Sequence, residues 1–386
     1  MHRRAQLTLA SLFVGFLFLV GVQIVVPFLP AGSKLRGVAD EPPAPVWNLE
    51  HVLSGRAFRE TEAWYDARVG LRNFWVRLDS ELTYAVFGEA LDHDSGTNVV
   101  VGVHDWLFES QYVKHAITPA RREDARVKAA LRHMKSVQDK LARRGIPFLL
   151  VVAPSKVEIY PEHVPPAAFG GRRPDEVTTA FELYRPELEA AGIHFLDGRR
   201  LFLDWKQQGT RYLFARGGTH WSYAASVRVL EEIRRRINPG MRHPLPPLQV
   251  GSEEMAPAQG TDIDLLNLLN LVTKFPFNHP QPRPVMVPQH AVPPDQLPRI
   301  LWVHDSFGWP LFELLYEANA AQPTDSIYYF REFYHLPDNT LREANLKKTD
   351  WNAYLKDQDA VVMVWTEIAF NLFGWGFFET LDQQLR

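Results

Sequence analysis

The sequence predicts an α/β fold built on a mostly parallel β-sheet with helices on both faces. A charged, amphipathic stretch followed by a short apolar stretch recurs three times, at residues 121–153, 176–197 and 350–365. Apolar strands that alternate with amphipathic helices are typical of a parallel sheet buried on both sides. The carboxyl ends of such strands share one edge of the sheet, and ligands bind at that edge.

The N-terminus predicts a membrane anchor. Arg3 and Arg4 precede an uncharged apolar run, Leu7–Leu29, which is long enough to cross a bilayer at about 1.5 Å per residue. The apolar core of a signal peptide is shorter, about 7–15 residues, and ends at a small-residue cleavage site. Ala31–Ser33 matches such a site poorly. Because arginines flanking a span stay cytoplasmic, we expect an uncleaved single-pass anchor at residues 1–30 with the rest of the chain outside.

The composition is that of a globular protein with a sizeable core. The chain has 386 residues, of which 46% are hydrophobic and 23% are charged. A formal net charge of −3 and the lack of a basic arm argue against nucleic-acid binding. The absence of cysteine excludes thiol catalysis, disulfides and thiolate metal sites. No spacing typical of a metal site and no glycine-rich phosphate loop is present, so we expect neither a metal nor a cofactor.

Three regions are expected along the chain. After the anchor, residues 31–98 read as a proline-containing linker followed by helices, and residues 99–386 as one α/β domain. Within that domain, residues 238–298 are crowded with proline and short of regular periodicity, which is typical either of a lid or of a surface excursion. A capped helical turn or two is predicted at Thr261–Asn267.

A serine at a strand end is the first candidate catalytic residue. The apolar stretch Leu301–Val303 leads through His304 and Asp305 to Ser306, and a helical pattern follows. A serine held at a strand-to-helix turn has an exposed hydroxyl and a backbone N–H directed at the group that the hydroxyl attacks. The sequence therefore predicts Ser306 as a nucleophile.

The histidine that could activate this serine lies in a loop of small residues, Gly217–Ser222. His220 follows Gly218 and Thr219 and precedes Trp221, which is expected to pack beside it. Serine needs a general base at neutral pH, and histidine is the usual one. If the assignment is right, the Ser306 hydroxyl should lie within about 4 Å of a ring nitrogen of His220.

Four motifs together carry a family resemblance. They are Gly102–Phe108, which ends in Trp-Leu-Phe, Ala153–Pro161, which reads APSKVEIYP, the histidine loop, and the Asp-Ser-Phe turn at Asp305–Phe307. In this order they resemble the SGNH-hydrolase-like domain of the alginate O-acetyltransferases of the AlgX/AlgJ type. The lead-in Trp64–Arg72 resembles that family too. The chain ends soon after its last strand, as in the shorter AlgJ-type members.

The resemblance implies a function. Family members are periplasmic, anchored in the bacterial inner membrane, and move acetyl groups onto hydroxyls of an exported polysaccharide such as alginate. They work beside a membrane-bound O-acyltransferase that supplies the acetyl group, within an exopolysaccharide export complex. A serine that carries acetyl as an ester and passes it to a sugar hydroxyl fits this chemistry.

One position departs from the family pattern. The family loop reads Asp-Thr-His-Trp, and its aspartate orients the histidine, whereas this chain has Gly218 there. Candidate replacements are Asp262, Asp264 and Glu367, while Asp305 is expected to shape the serine turn. An unassisted Ser–His dyad and a loss of chemistry are the other possibilities. If a dyad acts, Gly218→Asp should raise its activity.

Other side chains are assigned more generally. Lys156, Trp221, Tyr329 and Arg331 are candidate substrate contacts, and Ser306, Lys156 and Glu367 each follow an apolar strand. An oxyanion hole would use the Ser306 N–H and one further donor that the sequence does not identify. Two alternatives to a transferase stay open: a non-catalytic accessory subunit of the acetylation complex, which Gly218 favours, and a carbohydrate acetylesterase, in which water replaces the sugar.

Overall fold

The computed structural model describes residues 2–25, 34–37, 41–90, 99–273, 279–343, 345–346 and 348–385. They form two compact units. One comprises residues 1–99 with 266–275, and the other comprises residues 100–265 with 276–386. The expected domain bounds at residues 30 and 98 stay a prediction.

The N-terminal unit is helical. Its helices are α1 (His2–Val25), α2 (Leu49–Leu53), α3 (Arg56–Arg68) and α4 (Arg72–Phe87). Within α1, the 20 residues Arg4–Gln23 are long and apolar enough to cross a membrane, a property that a signal sequence shares. They are therefore compatible with the expected anchor. The last residues of the apolar run and the weak cleavage site at Ala31–Ser33 lie outside the described residues.

Eleven strands are present in the described part of the chain. They are β1 (Val99–Val101), β2 (Leu107–Glu109), β3 (Phe148–Ala153), β4 (Phe195–Asp197), β5 (Val250–Ala256), β6 (Gln281–Met286), β7 (Ile300–His304), β8 (Thr324–Tyr328), β9 (Glu332–Leu336), β10 (Thr340–Arg342) and β11 (Ala360–Thr366). Seven form a central sheet in the order β10-β9-β8-β7-β11-β3-β4. The five strands from β8 to β4 are parallel, and β9 and β10 extend the sheet antiparallel.

Helices cover both faces of this sheet. The described helices from residue 110 onward are α5 (Ser110–Ala116), α6 (Asp124–Ala142), α7 (Lys156–Ile159), α8 (Ala180–Ala190), α9 (Gly198–Gln207), α10 (Tyr223–Ile237), α11 (Asp264–Leu268), α12 (Trp309–Glu317), α13 (Trp351–Tyr354) and α14 (Phe377–Gln384). Strand β3 shows why the sheet needs both layers. Leu149 and Val151 enter a core with α9, α10 and α12, while Leu150 and Val152 enter another with α6, α8 and α14. The predicted parallel sheet with two helical faces is confirmed.

The proline-rich segment contains more regular structure than expected. Strands β5 and β6 form an antiparallel pair, in which Pro284 lies opposite Glu253 and Pro282 opposite Met255. Proline cannot donate a ladder hydrogen bond, but in a two-stranded sheet alternate N–H groups face outward and are not needed. The expectation of an irregular segment was therefore wrong at these strands. The helical turn predicted at Thr261–Asn267 is present as a 3₁₀ turn, Gly260–Ile263, followed by α11.

Candidate active site

The serine turn begins where β7 ends. Asp305 is 2% exposed, and its carboxylate accepts hydrogen bonds from the backbone N–H groups of Phe307 (3.0 Å) and Thr366 (2.6 Å). Its own N–H donates to the carbonyl of Val364 at 3.0 Å. Burial raises the pKa of Asp305 to about 6, against these hydrogen bonds. Asp305 therefore fastens the turn that carries Ser306 to the neighbouring strand β11 and is not hydrogen-bonded to His220.

The histidine loop packs against this turn. His220 is 7% exposed, and its ring lies 4.7 Å from the ring of Phe307, the residue after Ser306. Trp221 is fully buried between Phe307 and Phe202. The position of Trp221 agrees with the expectation that this residue packs beside the histidine. It does not agree with a role as a substrate contact, because the buried ring of Trp221 is inaccessible to a substrate. Ser222 caps helix α10 by accepting a hydrogen bond from the Ala225 N–H at 3.1 Å, which fixes the end of the loop.

Asp264 is the candidate acid that is hydrogen-bonded to the histidine. Its Oδ2 is hydrogen-bonded to Nδ1 of His220, and its Oδ1 accepts from the Thr219 N–H at 2.8 Å and from the Leu265 N–H at 2.7 Å. A carboxylate on Nδ1 selects the tautomer in which Nε2 is free to take a proton. Burial lowers the pKa of His220, but the charge of Asp264 and its hydrogen bond outweigh burial, so the net shift is upward.

Gly218 explains why the acid comes from elsewhere in the sequence. A Cβ atom at this position would lie 2.3 Å from the carbonyl oxygen of Thr261 and 3.0 Å from Cα of Asp262. The backbone of residues 261–262 thus occupies the space that an aspartate side chain at 218 would need. The glycine lets this segment approach the histidine loop and bring Asp264 onto His220. The expectation that Gly218→Asp raises activity is therefore wrong.

Lys156 has a different position from the one expected. It is 3% exposed, and its ammonium group donates to the carbonyl oxygens of Leu107, Ala215, Arg216 and Gly218 at 2.6–2.8 Å. Burial lowers the pKa of Lys156 well below its usual value. The four carbonyl acceptors around one nitrogen leave it no N–H for a substrate. Through these hydrogen bonds, Lys156 links the backbone before His220 to the end of β3. Its assignment as a substrate contact was wrong.

The other acid candidates do not orient His220. Asp262 is 3% exposed and makes no hydrogen bond to the histidine among the described contacts, and burial raises its pKa to about 7. Glu367 is fully buried, and its Oε1 accepts from the Ser155 N–H at 2.8 Å. Burial raises the pKa of Glu367 to about 7 as well. Glu367 thus joins the ends of β11 and β3 and has no contact with the base.

Glu109 is a site residue that the sequence did not single out. It is the last residue of β2, and one carboxylate oxygen accepts a hydrogen bond from the Thr219 hydroxyl at 3.4 Å. Burial raises the pKa of Glu109, and its charge helps to raise the pKa of His220. A rule that also considered the last residue of a short apolar strand would have found it, because Glu109 ends β2 after Leu107 and Phe108.

The remaining candidates differ in their proximity to the serine. The side chain of Tyr329 lies close enough to Ser306 to influence its own pKa, whereas Arg331 is exposed and no described contact joins its side chain to Ser306 or His220. Nε2 of His220 is buried without a hydrogen-bond partner in the described part of the chain. The expected Ser306–His220 distance stays a prediction.

No group of three or more His, Asp or Glu side chains arranged for a metal occurs among the described residues.

Comparisons with known proteins agree with this architecture. Residues 99–300 match the family model "SGNH hydrolase-like domain, acetyltransferase AlgX", a span that includes His220 and Asp264 and ends before Ser306. The chain is 28% identical over 218 residues to "Probable alginate O-acetylase AlgJ" of Pseudomonas aeruginosa, which covers 53% of this chain and 50% of that protein. It is 27% identical over 241 residues to the protein of that name from Azotobacter vinelandii, covering 62% and 54%.

Solved structures of the same group were also found. The O-acetyltransferase domain of Pseudomonas putida AlgJ has a TM-score of 0.43 at 17% identity, covering 74% of this chain and 99% of that domain. Pseudomonas aeruginosa AlgX has a TM-score of 0.42 at 15% identity, covering 70% and 62%. The chain spans about half the length of the curated relatives it matches. Because the family model covers just over half of the 386 residues, the predicted resemblance is confirmed, and the chain belongs to the AlgX family of SGNH-hydrolase-like acetyltransferase domains.

Proposed function

We propose that this protein is a serine-dependent O-acetyltransferase that acetylates hydroxyl groups of an exported polysaccharide. The observation that carries the proposal is the hydrogen bond between Asp264 and Nδ1 of His220, which leaves Nε2 without a partner in the described part of the chain, on a ring that packs against Phe307 of the serine turn. A nucleophile, a base and an orienting acid are the parts that acyl transfer requires. Membership of the AlgX family supports acetyl as the transferred group.

The chemistry runs in two half-reactions. In the first, Nε2 of His220 takes the proton of the Ser306 hydroxyl as Oγ bonds to the acetyl carbonyl carbon. The tetrahedral intermediate then collapses, and the leaving group departs with the proton from His220, so that acetyl-Ser306 remains. In the second, a sugar hydroxyl gives its proton to His220 and attacks the ester. Ser306 leaves as an alkoxide that recovers the proton, and the acetylated sugar is released.

Substrate, partners and location follow from the relatives and from α1. The curated relatives are named alginate O-acetylases, which supports a polysaccharide acceptor of the alginate kind. The apolar stretch Arg4–Gln23 supports a single-pass anchor in the inner membrane with the α/β domain in the periplasm. The family resemblance implies a membrane-bound O-acyltransferase as the acetyl donor and an export complex as the setting.

Two alternatives use the same fold. A non-catalytic accessory subunit was favoured by Gly218, but Asp264 now supplies an orienting carboxylate, so that argument no longer applies. An acetylesterase would use the same three side chains, with water in place of the sugar. The fate of acetyl-Ser306 therefore separates transfer from hydrolysis.

The test follows acetyl groups from a small activated acetyl ester. Wild-type protein should release the leaving group and carry acetyl on Ser306 by mass spectrometry. Ser306→Ala and His220→Ala should each abolish release, whereas Ser252→Ala, on β5, should not change it. Adding polysaccharide fragments should yield acetylated sugar in place of free acetate. Absence of acetyl-Ser306 in the wild type, with cellular polysaccharide acetylation that survives Ser306→Ala but not deletion of the protein, would establish the accessory role instead.

A further inference from the structure

Tyr329 is held in a costly conformation beside the serine. It follows strand β8 and has a left-handed backbone with φ 49°, as does Phe330 with φ 52°. Its N–H donates to the carbonyl of His304 at 2.8 Å, which ties it to the strand that delivers Ser306. Bulky residues avoid the left-handed region, so such conformations persist only where the surroundings enforce them, and they concentrate at functional sites.

Neighbouring aromatic side chains fix the ring of Tyr329. Trp375 meets it edge-on at 5.2 Å between ring centroids, and Trp375 itself has a left-handed backbone with φ 57°. The centroid of the Tyr328 ring lies 4.5 Å from that of Tyr329, and the two phenols are close enough to influence each other's pKa. The phenol of Tyr329 is therefore confined, and it lies within interaction range of the Ser306 side chain.

A hydroxyl at this position can donate to the intermediate as well as to the resting serine. When Oγ of Ser306 bonds to the acetyl carbon, the electrons of the C=O bond move to the carbonyl oxygen, which becomes an oxyanion attached to the same carbon as Oγ. A donor within reach of Oγ is then close to that oxyanion, and rotation of the phenol O–H redirects its hydrogen bond. Burial raises the pKa of Tyr329, so its hydroxyl keeps the proton to donate.

We propose that Tyr329 is a catalytic residue whose hydroxyl is the second donor of the oxyanion hole, alongside the backbone N–H of Ser306. Ser306 starts a 3₁₀ turn, and its N–H donates to no backbone carbonyl in the described part of the chain, so it is available as the first donor. This inference rests on the proposed acyl-transfer function and names the donor that the sequence left unidentified.

The experiment compares Tyr329→Phe with Tyr328→Phe, its neighbour in the sequence. Removing one oxyanion donor typically costs about 10²–10³ in kcat. Tyr329→Phe should lose that factor in release from the acetyl ester, with KM changed little, whereas Tyr328→Phe should lose far less. A trifluoromethyl ketone, which adds to Ser306 and creates the same oxyanion, should bind Tyr329→Phe more weakly by a similar factor.

Two outcomes would overturn the inference while leaving the proposed function intact. One is a kcat for Tyr329→Phe within about threefold of wild type. The other is a fall in kcat with unchanged affinity for the ketone, which would mean that the hydroxyl only positions Ser306.

If Tyr329→Phe does not fold, 4-aminophenylalanine at this position keeps the ring and an N–H donor. This variant should fold and should recover most of the wild-type kcat. A variant that folds but does not recover kcat would also refute the proposal. Failure of the wild type to form acetyl-Ser306 would instead refute the proposed function itself.

Discussion

The serine turn and the histidine loop contribute to one site but are built in different ways. Ser306 is delivered by a buried strand, and the residue before it, Asp305, supplies the carboxylate that shapes the turn. His220 depends on distant parts of the chain: Asp264 is 44 residues away, and Lys156 reaches the loop from the end of β3. The serine turn is thus held largely by residues that are close in sequence, whereas the histidine loop is held by long-range contacts.

The difference matters because a long-range contact can be replaced by another one. The family loop carries its acid two residues before the histidine, whereas here Gly218 leaves that space to the backbone of residues 261–262. A carboxylate from another segment then meets the same ring nitrogen. The chemical requirement, an acceptor on Nδ1, is preserved although the position of the acid in the sequence is not.

The largest expected effect tests the long-range acid itself. Asp264→Asn should lower kcat for release from an acetyl ester by roughly 10⁴-fold, because an amide can hold His220 in the wrong tautomer. Asp262→Asn is the matched control, since Asp262 is a nearby carboxylate, more deeply buried than Asp264, that makes no described bond to the histidine. Its effect on kcat should be small by comparison. Equal losses in the two variants would show that Asp264 does not orient the base.

The next largest expected effect is a loss of stability when Lys156, which holds the histidine loop by hydrogen bonds, is replaced. Lys156→Met leaves four carbonyl oxygens without their donor, and each buried acceptor left unsatisfied costs about 1–3 kcal/mol of unfolding free energy. Denaturant unfolding should show this loss. Lys206→Met removes a partly exposed lysine that pairs with Glu162 and should cost about 0–1 kcal/mol. Comparable losses would contradict this role of Lys156.

Moving the acid back to its family position should fail. Gly218→Asp forces a side chain against the backbone of residues 261–262, and overpacking of this kind typically costs about 1–3 kcal/mol. Activity should fall as the segment carrying Asp264 is displaced, and adding Asp264→Ala should not restore it. Recovery of wild-type kcat in the double variant would show that the two positions for the acid are interchangeable in this chain.

The smallest effect concerns Glu109 and is a change in pH dependence. The neutral form of His220 is the base, so kcat/KM should rise with pH through the pKa of His220. The charge of Glu109 helps to raise that pKa, and Glu109→Gln should therefore move the acidic limb of the profile to lower pH. Glu176→Gln, an exposed residue, should leave the limb in place. A limb that moves to higher pH in Glu109→Gln would contradict this electrostatic role.

Much of the fold was predictable because its signals are local. The alternation of amphipathic and apolar stretches at residues 121–153 and 350–365 reports burial within each segment, and burial of β3 and β11 on both faces follows. The pair β5 and β6 escaped prediction because Pro282 and Pro284 normally argue against a strand. A proline is tolerated in β6 only where the backbone N–H would face away from β5. Which positions face away depends on how the two strands pair.

The sequence by itself determined the fold class, the family and the two residues proposed to carry the chemistry, Ser306 and His220, because strand ends and short motifs need only neighbouring residues. Only the tertiary structure decided which acid serves the histidine and what Lys156 does. Among Asp262, Asp264 and Glu367, the choice depends on the path of a proline-rich backbone and on the lack of a Cβ at Gly218, where such an atom would lie 2.3 Å from the carbonyl oxygen of Thr261. Such contacts form only when distant segments pack together, so no local pattern in the sequence reports them.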